Sequence, residues 1–355
     1  MRKVRLRGLG ATISAVAVAA SVIGAMEASA SGKQVRSKAS GGQLVVAAFG
    51  GAYGKAEQDA YFTPFTKATG IKVRVLPAEP TLAQVKLQVQ NHNVLWDVAE
   101  LQGVDANTGC NEGLLARVNY KLVKKADLAV GGGYKCGLLA SLFTEGIGYK
   151  KSAFKTPPTW SDFFNVTKYP GKRTMESYIE DGTLEDAALG AGVPVNRLYP
   201  LDINKAINEM KSLGSNLVLV SSLAQASQLL QSGSAVMIQS AIGRILPLMS
   251  QGYAISLVGE RAPSIFTIPK GAPHTALAQK FFSFIASCQK CTATMERETA
   301  YGGPNKNGIK LVPPRIRKLL PYDPQVDRNS YFQNLAWWSK NAARAQQAFQ
   351  TFQAG

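Results

Sequence analysis

The sequence predicts an α/β protein built as two lobes. Strand-like and helix-like segments alternate along nearly the whole chain, which argues for a parallel sheet with helices on its faces. The chain is 355 residues long, more than one hydrophobic core usually organises. Its apolar content of 46% is that of an ordinary globular protein.

The first residues set the compartment. Arg2, Lys3, Arg5 and Arg7 precede a small-residue apolar stretch over 9–25, and Ala28-Ser29-Ala30 has the form of a cleavage site. This is the layout of a secretory signal peptide, too short and too Ala-rich for a membrane span. Residues 1–30 are therefore expected to be removed, leaving 31–42, rich in Ser, Gly, Lys and Arg, as a flexible leader. After Ala30 no apolar run reaches about 18 residues, so no further anchor is expected. Export to the periplasm leaves ATP and NAD pools behind, and no cofactor is expected.

The elements follow in order. Gln43–Ala48 is a short apolar strand, and residues 49–53 form a Gly-rich turn. Ala56, Ala60 and Phe65 recur at helical spacing over 55–68, which Gly70 closes. Residues 71–75 alternate as a second strand, 81–90 form a helix, and 96–99 a third strand leading into Glu100, Leu101 and Gln102. Residues 141–149 carry the chain through Thr144-Glu145-Gly146 towards a second lobe. There, a short helix at 160–164, a strand at 172–177 and a helix at 182–189 precede a helix over 201–213, with Asp202 as its N-cap. Strand 216–220, helix 224–231, strand 234–239 and helix 243–251 repeat the alternation. Strand 264–268 and the amphipathic helix 276–286 return to the first lobe, and 331–352 reads as a long final helix.

Charge and reactive side chains narrow the function. The formal charge is +17, a balance that suits nucleic acid, acidic surfaces or anionic ligands. The basic residues are scattered, however. The densest groups, Lys121 with Lys124 and Lys125, and Arg315 with Arg317 and Lys318, carry no interleaved aromatics, so they read as solvated surface with no nucleic-acid partner. His92 and His274 are the only histidines. Neither has HExxH spacing, and no G-x-S-x-G elbow or P-loop occurs, so an enzyme is not expected. Four cysteines stand at 110, 136, 288 and 291, which allows three pairings. The compartment favours disulfides, and the turn-rich segment around Gly131-Gly132-Gly133 lets Cys110 and Cys136 meet. Cys288-Gln-Lys-Cys291 is open to a local disulfide at a helix end, a redox centre or half a metal site. With no second CxxC and no nearby His, metal is not expected.

Several segments resemble one family. Pro64-Phe65-Thr66-Lys67-Ala68-Thr69-Gly70-Ile71-Lys72-Val73, Trp96-Asp97-Val98 followed by Gly113-Leu114-Leu115, Pro158-Thr159-Trp160-Ser161-Asp162-Phe163-Phe164, Tyr169-Pro170-Gly171-Lys172-Arg173 and Tyr301-Gly302-Gly303-Pro304-Asn305 are similar, in order and spacing, to segments of the periplasmic solute-binding proteins of ABC importers, in the spermidine/putrescine-binding-like group (extracellular solute-binding family 1). The resemblance implies a two-lobed periplasmic-binding-protein fold (type II) with hinge-crossing strands. Residues 43–145 plus 265–300 would form lobe 1, and 146–264 plus 301–355, with the C-terminal helix, lobe 2. It implies a monomer that closes over a solute and presents it to an ABC permease in the inner membrane.

In parallel sheets ligands sit beyond the carboxyl ends of the strands. Phe49, Gly51 and Tyr53 after the first strand, and Glu100 and Gln102 after the third, are candidate contacts on that ground. The resemblance adds Glu180 and Asp181 as cleft acids, Gln239 where that group carries a tryptophan, and Tyr301 as a cleft aromatic. Acids paired with ammonium groups and rings packed on methylenes point to a polyamine-like or other small cationic amine. Arg244 admits a small carboxylate or amino-acid-type solute through a bidentate contact. A secreted thiol oxidoreductase using Cys288 and Cys291 is the reading from another class.

Overall fold

The computed structural model describes residues 42–355; the expected signal peptide and nearly all of the leader lie outside the described residues. The chain begins with β1 (Gln43–Ala48), α1 (Gly51–Glu57), α2 (Thr63–Thr69), β2 (Lys72–Pro77), α3 (Leu82–Gln90), β3 (Val98–Gln102) and α4 (Gly103–Asn111). It continues through β4 (Gly133–Tyr134), β5 (Gly137–Lys150), α5 (Trp160–Phe164), β6 (Arg173–Glu176), α6 (Thr183–Gly190), α7 (Ile203–Ser212), β7 (Leu217–Val220), α8 (Leu223–Gln231), β8 (Met237–Ala241) and α9 (Ile242–Ile245). β9 (Tyr253–Ser256), β10 (Glu260–Thr267), α10 (Thr275–Ser287), α11 (Gln289–Thr299), α12 (Pro314–Arg317), α13 (Pro324–Asn329), β11 (Tyr331–Phe332) and α14 (Leu335–Ala354) complete it.

The strands run β2-β1-β3-β10-β5-β8-β6-β7, with β11 on β10 and both β4 and β9 on β5. In the first half β1 pairs in parallel with β2 and β3. In the second, β6 pairs in parallel with β7 and β8. Two antiparallel strands join the halves. The start of β5 pairs with β10 and its end with β8 and β9, while β10 also pairs with β3. This is the two-lobed α/β architecture with crossing strands that the sequence predicts.

Each lobe buries its own core. Leu44, Val46, Tyr61, Phe62, Phe65, Phe266 and Phe281 pack in the first. Trp160, Phe163, Met175, Leu184, Met210, Met237 and Trp338 pack in the second. The expected caps act locally: Asp202 accepts the backbone N–H of Lys205, and Gly70 ends α2 in the left-handed conformation. The last helix reaches both lobes, since Trp338 lies in the second core and Ser339 receives a 2.7 Å hydrogen bond from Asn107 of α4.

Several boundaries differ from the sequence reading, four of them near the site or the lobe junction. The first helix starts at Gly51, not 55, because Gly51 takes φ +67° and turns the chain immediately after β1. β3 extends through Gln102, so Glu100 lies inside a strand opposite Phe266. A helix unforeseen in the sequence, α11, opens at Cys288, which also ends α10. The final helix begins at Leu335, because Tyr331 and Phe332 pair with Glu260 and Arg261 and Asn334 caps the helix by accepting from Trp337 N–H.

The crossing is tightly built at Gly146. A Cβ there would stand 1.9 Å from the carbonyl oxygen of Ser256 on the adjacent strand, and backbone cannot swing aside as a side chain can. Gly146→Ala is expected to destabilise the protein by about 1–3 kcal/mol, the usual cost of overpacking, read as a lowered urea midpoint. An unchanged midpoint would show that the strands part freely at this point.

Candidate functional site

The first lobe contributes Tyr53 through a buried acid. Tyr53 Oη donates to Glu100 Oε1 at 2.6 Å and shares a 2.9 Å hydrogen bond with Ser141 Oγ. Ser264 Oγ also donates to Glu100, and the backbone N–H of Phe49 donates to its second oxygen. Glu100 is fully buried, and these three donors let a carboxyl group sit in a central strand. Behind it, both oxygens of buried Glu57 lack partners among the described residues. Burial raises the Glu57 and Glu100 carboxyls together.

The second lobe gathers more carboxyls where β5 and β10 cross. Glu145, Glu260, Asp186 and Glu185 are buried and Glu176 nearly so, with Asp181 half-buried beside them. Gln239 knots this group. Its Nε2 donates to Glu145 Oε2 at 3.3 Å, to Asp186 Oδ2 at 3.1 Å and to the carbonyl of Asp181 at 3.1 Å. Its Oε1 accepts from the backbone N–H of Glu176 and from Thr183 Oγ1. Tyr331 Oη donates to Asp186 Oδ1 at 3.1 Å. Tyr199 Oη and Trp338 Nε1 both donate to Glu185 Oε1, at 2.6 and 2.7 Å. Glu260, 0% exposed, has no partner for either oxygen among the described residues.

No cation answers these acids. Among the described residues none of them lies within 4.0 Å of a Lys, Arg or His nitrogen. Burial, then mutual repulsion, pushes Glu145, Asp181 and Glu260 up from the usual carboxylate range. Asp186 rises through burial, against hydrogen bonds from Tyr331 and Gln239. Glu176, Glu180 and Glu185 are pushed up to about 7, each chiefly by burial. The carboxyls do not form a metal-holding geometry; no such cluster occurs among the described residues.

Arg244 acts through its charge on one member of this floor, Glu176. It is exposed on α9, and its charge acts on Tyr301 as well. Tyr301 packs against Tyr53 at a ring separation of 5.9 Å and against Phe143 at 6.0 Å, while Phe49 meets Tyr53 edge-on at 6.3 Å. A Cβ on Gly243 would meet the Tyr301 ring at 2.7 Å, so this glycine makes room for the ring. Burial holds the Tyr301 hydroxyl up at about 12, against the pull of Arg244.

The structure therefore brings Phe49, Tyr53 and Tyr301 into one aromatic group, with Arg244 beside Tyr301. Glu100 stands behind Tyr53 and holds it. Gly51 opens the helix that carries Tyr53 and has open space where a Cβ would be. Gln102 ends β3 with a buried Oε1 that finds no partner among the described residues. Asp181 joins the acidic group directly. Glu180 lies one residue further out, its backbone carbonyl held by Gln333 Nε2, and it acts on Asp181 through charge. Gln239 is enclosed, with its amide already engaged by the acids around it. Glu145, Glu176, Asp186, Glu260, Tyr331 and Phe143 were absent from the sequence-derived set. The one local signal was an acid interrupting an apolar run, as Glu145 does in Leu142-Phe143-Thr144-Glu145-Gly146-Ile147. Cys110 with Cys136 and Cys288 with Cys291 stand at disulfide distance, their Cα atoms 5.6 and 5.2 Å apart.

Comparison with known proteins gives a consistent picture. A family model described as bacterial extracellular solute-binding protein matches residues 60–314. The γ-aminobutyric acid-binding protein of Pseudomonas aeruginosa is 29% identical over 321 residues, covering 88% of this chain and 91% of that protein. The solved structure of the Atu4243–GABA receptor superposes with a TM-score of 0.81 at 27% identity, covering 88% of this chain and 97% of that one. The binding protein AgtB of Agrobacterium tumefaciens R10, in complex with agropinic acid, superposes with a TM-score of 0.78 at 29% identity, covering 88% and 98%. Among the described residues no helix is long and apolar enough to cross a membrane.

The raised carboxyls set a pH dependence. Glu176, Glu180 and Glu185 bind protons in the folded state up to about pH 7, whereas in the unfolded chain they release them near 4.5. Folding is therefore favoured most below about pH 4.5 with respect to these groups, and that advantage is lost as pH rises through about 7. Urea midpoints of the solute-free protein are expected to fall between pH 5 and 8. Glu185→Gln, which keeps an acceptor for Tyr199 and Trp338, should flatten the fall. A midpoint that rises across this window would contradict the assignment.

Proposed function

The chain belongs to the bacterial extracellular solute-binding protein family, the substrate-capturing components of ABC importers, and on that premise we propose that it captures a small ω-amino-acid-type solute. The solute carries an amino group and a carboxylate, and the protein, exported with cleavage of its signal peptide, takes it up outside the cytoplasm and delivers it to an inner-membrane ABC permease. The observation that carries this reading is the pairing of opposites at the lobe junction: a floor of carboxyls with no cation among them, and the guanidinium of Arg244 with no carboxylate within 4.0 Å.

An ammonium group over the acids would favour their charged forms and lift the penalty of burying them. A carboxylate on Arg244 would gain a two-pronged, charge-assisted contact. Phe49, Tyr53 and Tyr301 would pack on the methylenes between, with Glu100 fixing the tilt of Tyr53. Lobe closure would follow, because each end of such a solute is satisfied by different elements and only the closed form presents both at once. The names of the relatives, one for γ-aminobutyric acid and one for agropinic acid, agree with a carboxylate-bearing solute.

The excess of acids over Arg244 favours a second reading, a purely cationic amine such as putrescine, held by the acids alone. Calorimetry with γ-aminobutyrate and putrescine separates the two. The first reading expects γ-aminobutyrate to bind and Arg244→Gln to weaken it on the order of tenfold to a hundredfold, or roughly 1.4–2.8 kcal/mol. Asp181→Asn should weaken it as well. Tight putrescine binding, indifferent to Arg244→Gln, would replace the first reading with the second.

A further inference from the structure

The two cystines differ in what they can do for the chain. Cys110–Cys136 spans 26 residues and ties the end of α4 to the strand region before β5. Cys288–Cys291 spans three. Cross-links constrain the unfolded chain less as the loop they close shortens, so the second pair adds little as a staple.

Its surroundings suit exchange instead. Cys288 is the N-cap of α11, an 11-residue helix, and its Sγ accepts the backbone N–H of Cys291 at 3.1 Å. Cys288 is half-buried, whereas Cys291 is only 2% exposed. Cys288 therefore reaches the surface and Cys291 is withheld from it. A thiolate at Cys288 would keep the Cys291 N–H and the positive end of the helix, with exposed Lys290 alongside, the setting that lowers a thiol's proton affinity and makes it a good leaving group.

The same helix holds the aromatic at the cleft. Thr292, one turn into α11, accepts the backbone N–H of Asn305 at 3.1 Å. Asn305 Nδ2 donates to the carbonyl of Ala286, on the last turn of α10, at 2.7 Å. A Cβ on Gly303 or Gly308 would lie 2.7 or 2.2 Å from Thr292 Cγ2, so the segment rests directly on this turn. At its other end Thr299 Oγ1 accepts from Tyr301 N–H at 3.0 Å. Tyr301 thus hangs between two anchors on α11, and the cystine locks the corner from which the first anchor is built.

We propose that Cys288–Cys291 is an exchange-active disulfide, opened by external dithiols, whose opening loosens the 299–305 segment and with it Tyr301. A thiolate of the dithiol attacks Cys288 Sγ, the S–S bond breaks, and Cys291 leaves and takes a proton. The second thiolate of the dithiol then attacks its own sulfur in the mixed disulfide and releases Cys288. Two electrons and two protons pass to the protein, and the dithiol becomes a cyclic disulfide. An effect on solute affinity rests on the solute-binding reading above; the exchange and the loosening do not.

Graded dithiothreitol followed by alkylation and peptide mass spectrometry tests the exchange in the folded wild-type protein. Cys288 and Cys291 are expected to label at dithiothreitol concentrations at least tenfold below those that open Cys110 and Cys136. In Cys291→Ser, oxidised glutathione is expected to leave a glutathione mixed disulfide on Cys288, the Cys288 thiolate attacking its S–S bond and glutathione thiolate leaving, with no second cysteine to resolve it. Opening of both pairs together, or of Cys288–Cys291 only in denaturant, overturns the exchange. Hydrogen exchange of the wild type, without solute, tests the second half: reduction should speed amide exchange over 299–305 while β1 and β3 stay protected. Unchanged exchange there overturns the coupling, whatever solute the protein binds.

Discussion

Carboxylates in a space closed to water stay ionised together only when a cation joins them, because an isolated buried charge costs on the order of several kcal/mol even after relaxation. Glu145, Glu176, Asp181, Asp186 and Glu260 meet at the lobe junction with no basic side chain in salt-bridge range among the described residues. Burial raises all five carboxyls and so favours their protonated forms in the solute-free protein. Gln239, Tyr331 and Thr183 add fixed dipoles to the network but no charge.

The fold forces this meeting. Glu145 lies on β5 and Glu260 on β10, the strands that run between the lobes, and the backbone N–H of Gly259 donates to the carbonyl of Glu145 at 3.1 Å. Gly182 and Gly259 leave room for the acids: a Cβ on Gly182 would stand 3.5 Å from Glu145 Oε2, and one on Gly259 3.2 Å from Asp186 Oδ1. Any turn of one lobe on the other shears these two strands, so the electrostatics of the acids and the mechanics of the crossing share the same atoms. Under the proposed function, that coupling would give a bound cation a direct influence on the relation between the lobes.

Much of the architecture was legible because it depends on local rules. Alternating apolar runs gave the strands of both lobes, and Asp202 and Gly70 marked helix ends through their own hydrogen-bonding and conformational preferences. Tyr53 was visible as an aromatic just past a strand end. The acidic floor was not, because its members are up to 115 positions apart in a chain that numbers them 145, 176, 181, 186 and 260, and each alone looks like a surface acid or a helix-start charge. Only strand order brings them together. Glu100 was misleading for a related reason: it falls at the end of an apolar run, yet three donors from separate segments let β3 continue past it. α11 escaped notice because its sequence, Gln289 to Thr299, is polar, and Cys288 serves both helices at once.

The proposed binding of solute by the acidic floor has one direct thermodynamic signature. Calorimetry of γ-aminobutyrate binding near pH 7, repeated in buffers of different ionisation enthalpy, counts the protons exchanged with solvent. An ammonium group arriving over Glu176, Asp181 and their neighbours lowers their proton affinity, so binding is expected to release protons. Binding with no proton exchange, or with uptake, would mean that the amine settles elsewhere and that the carboxyl cluster has no part in holding it.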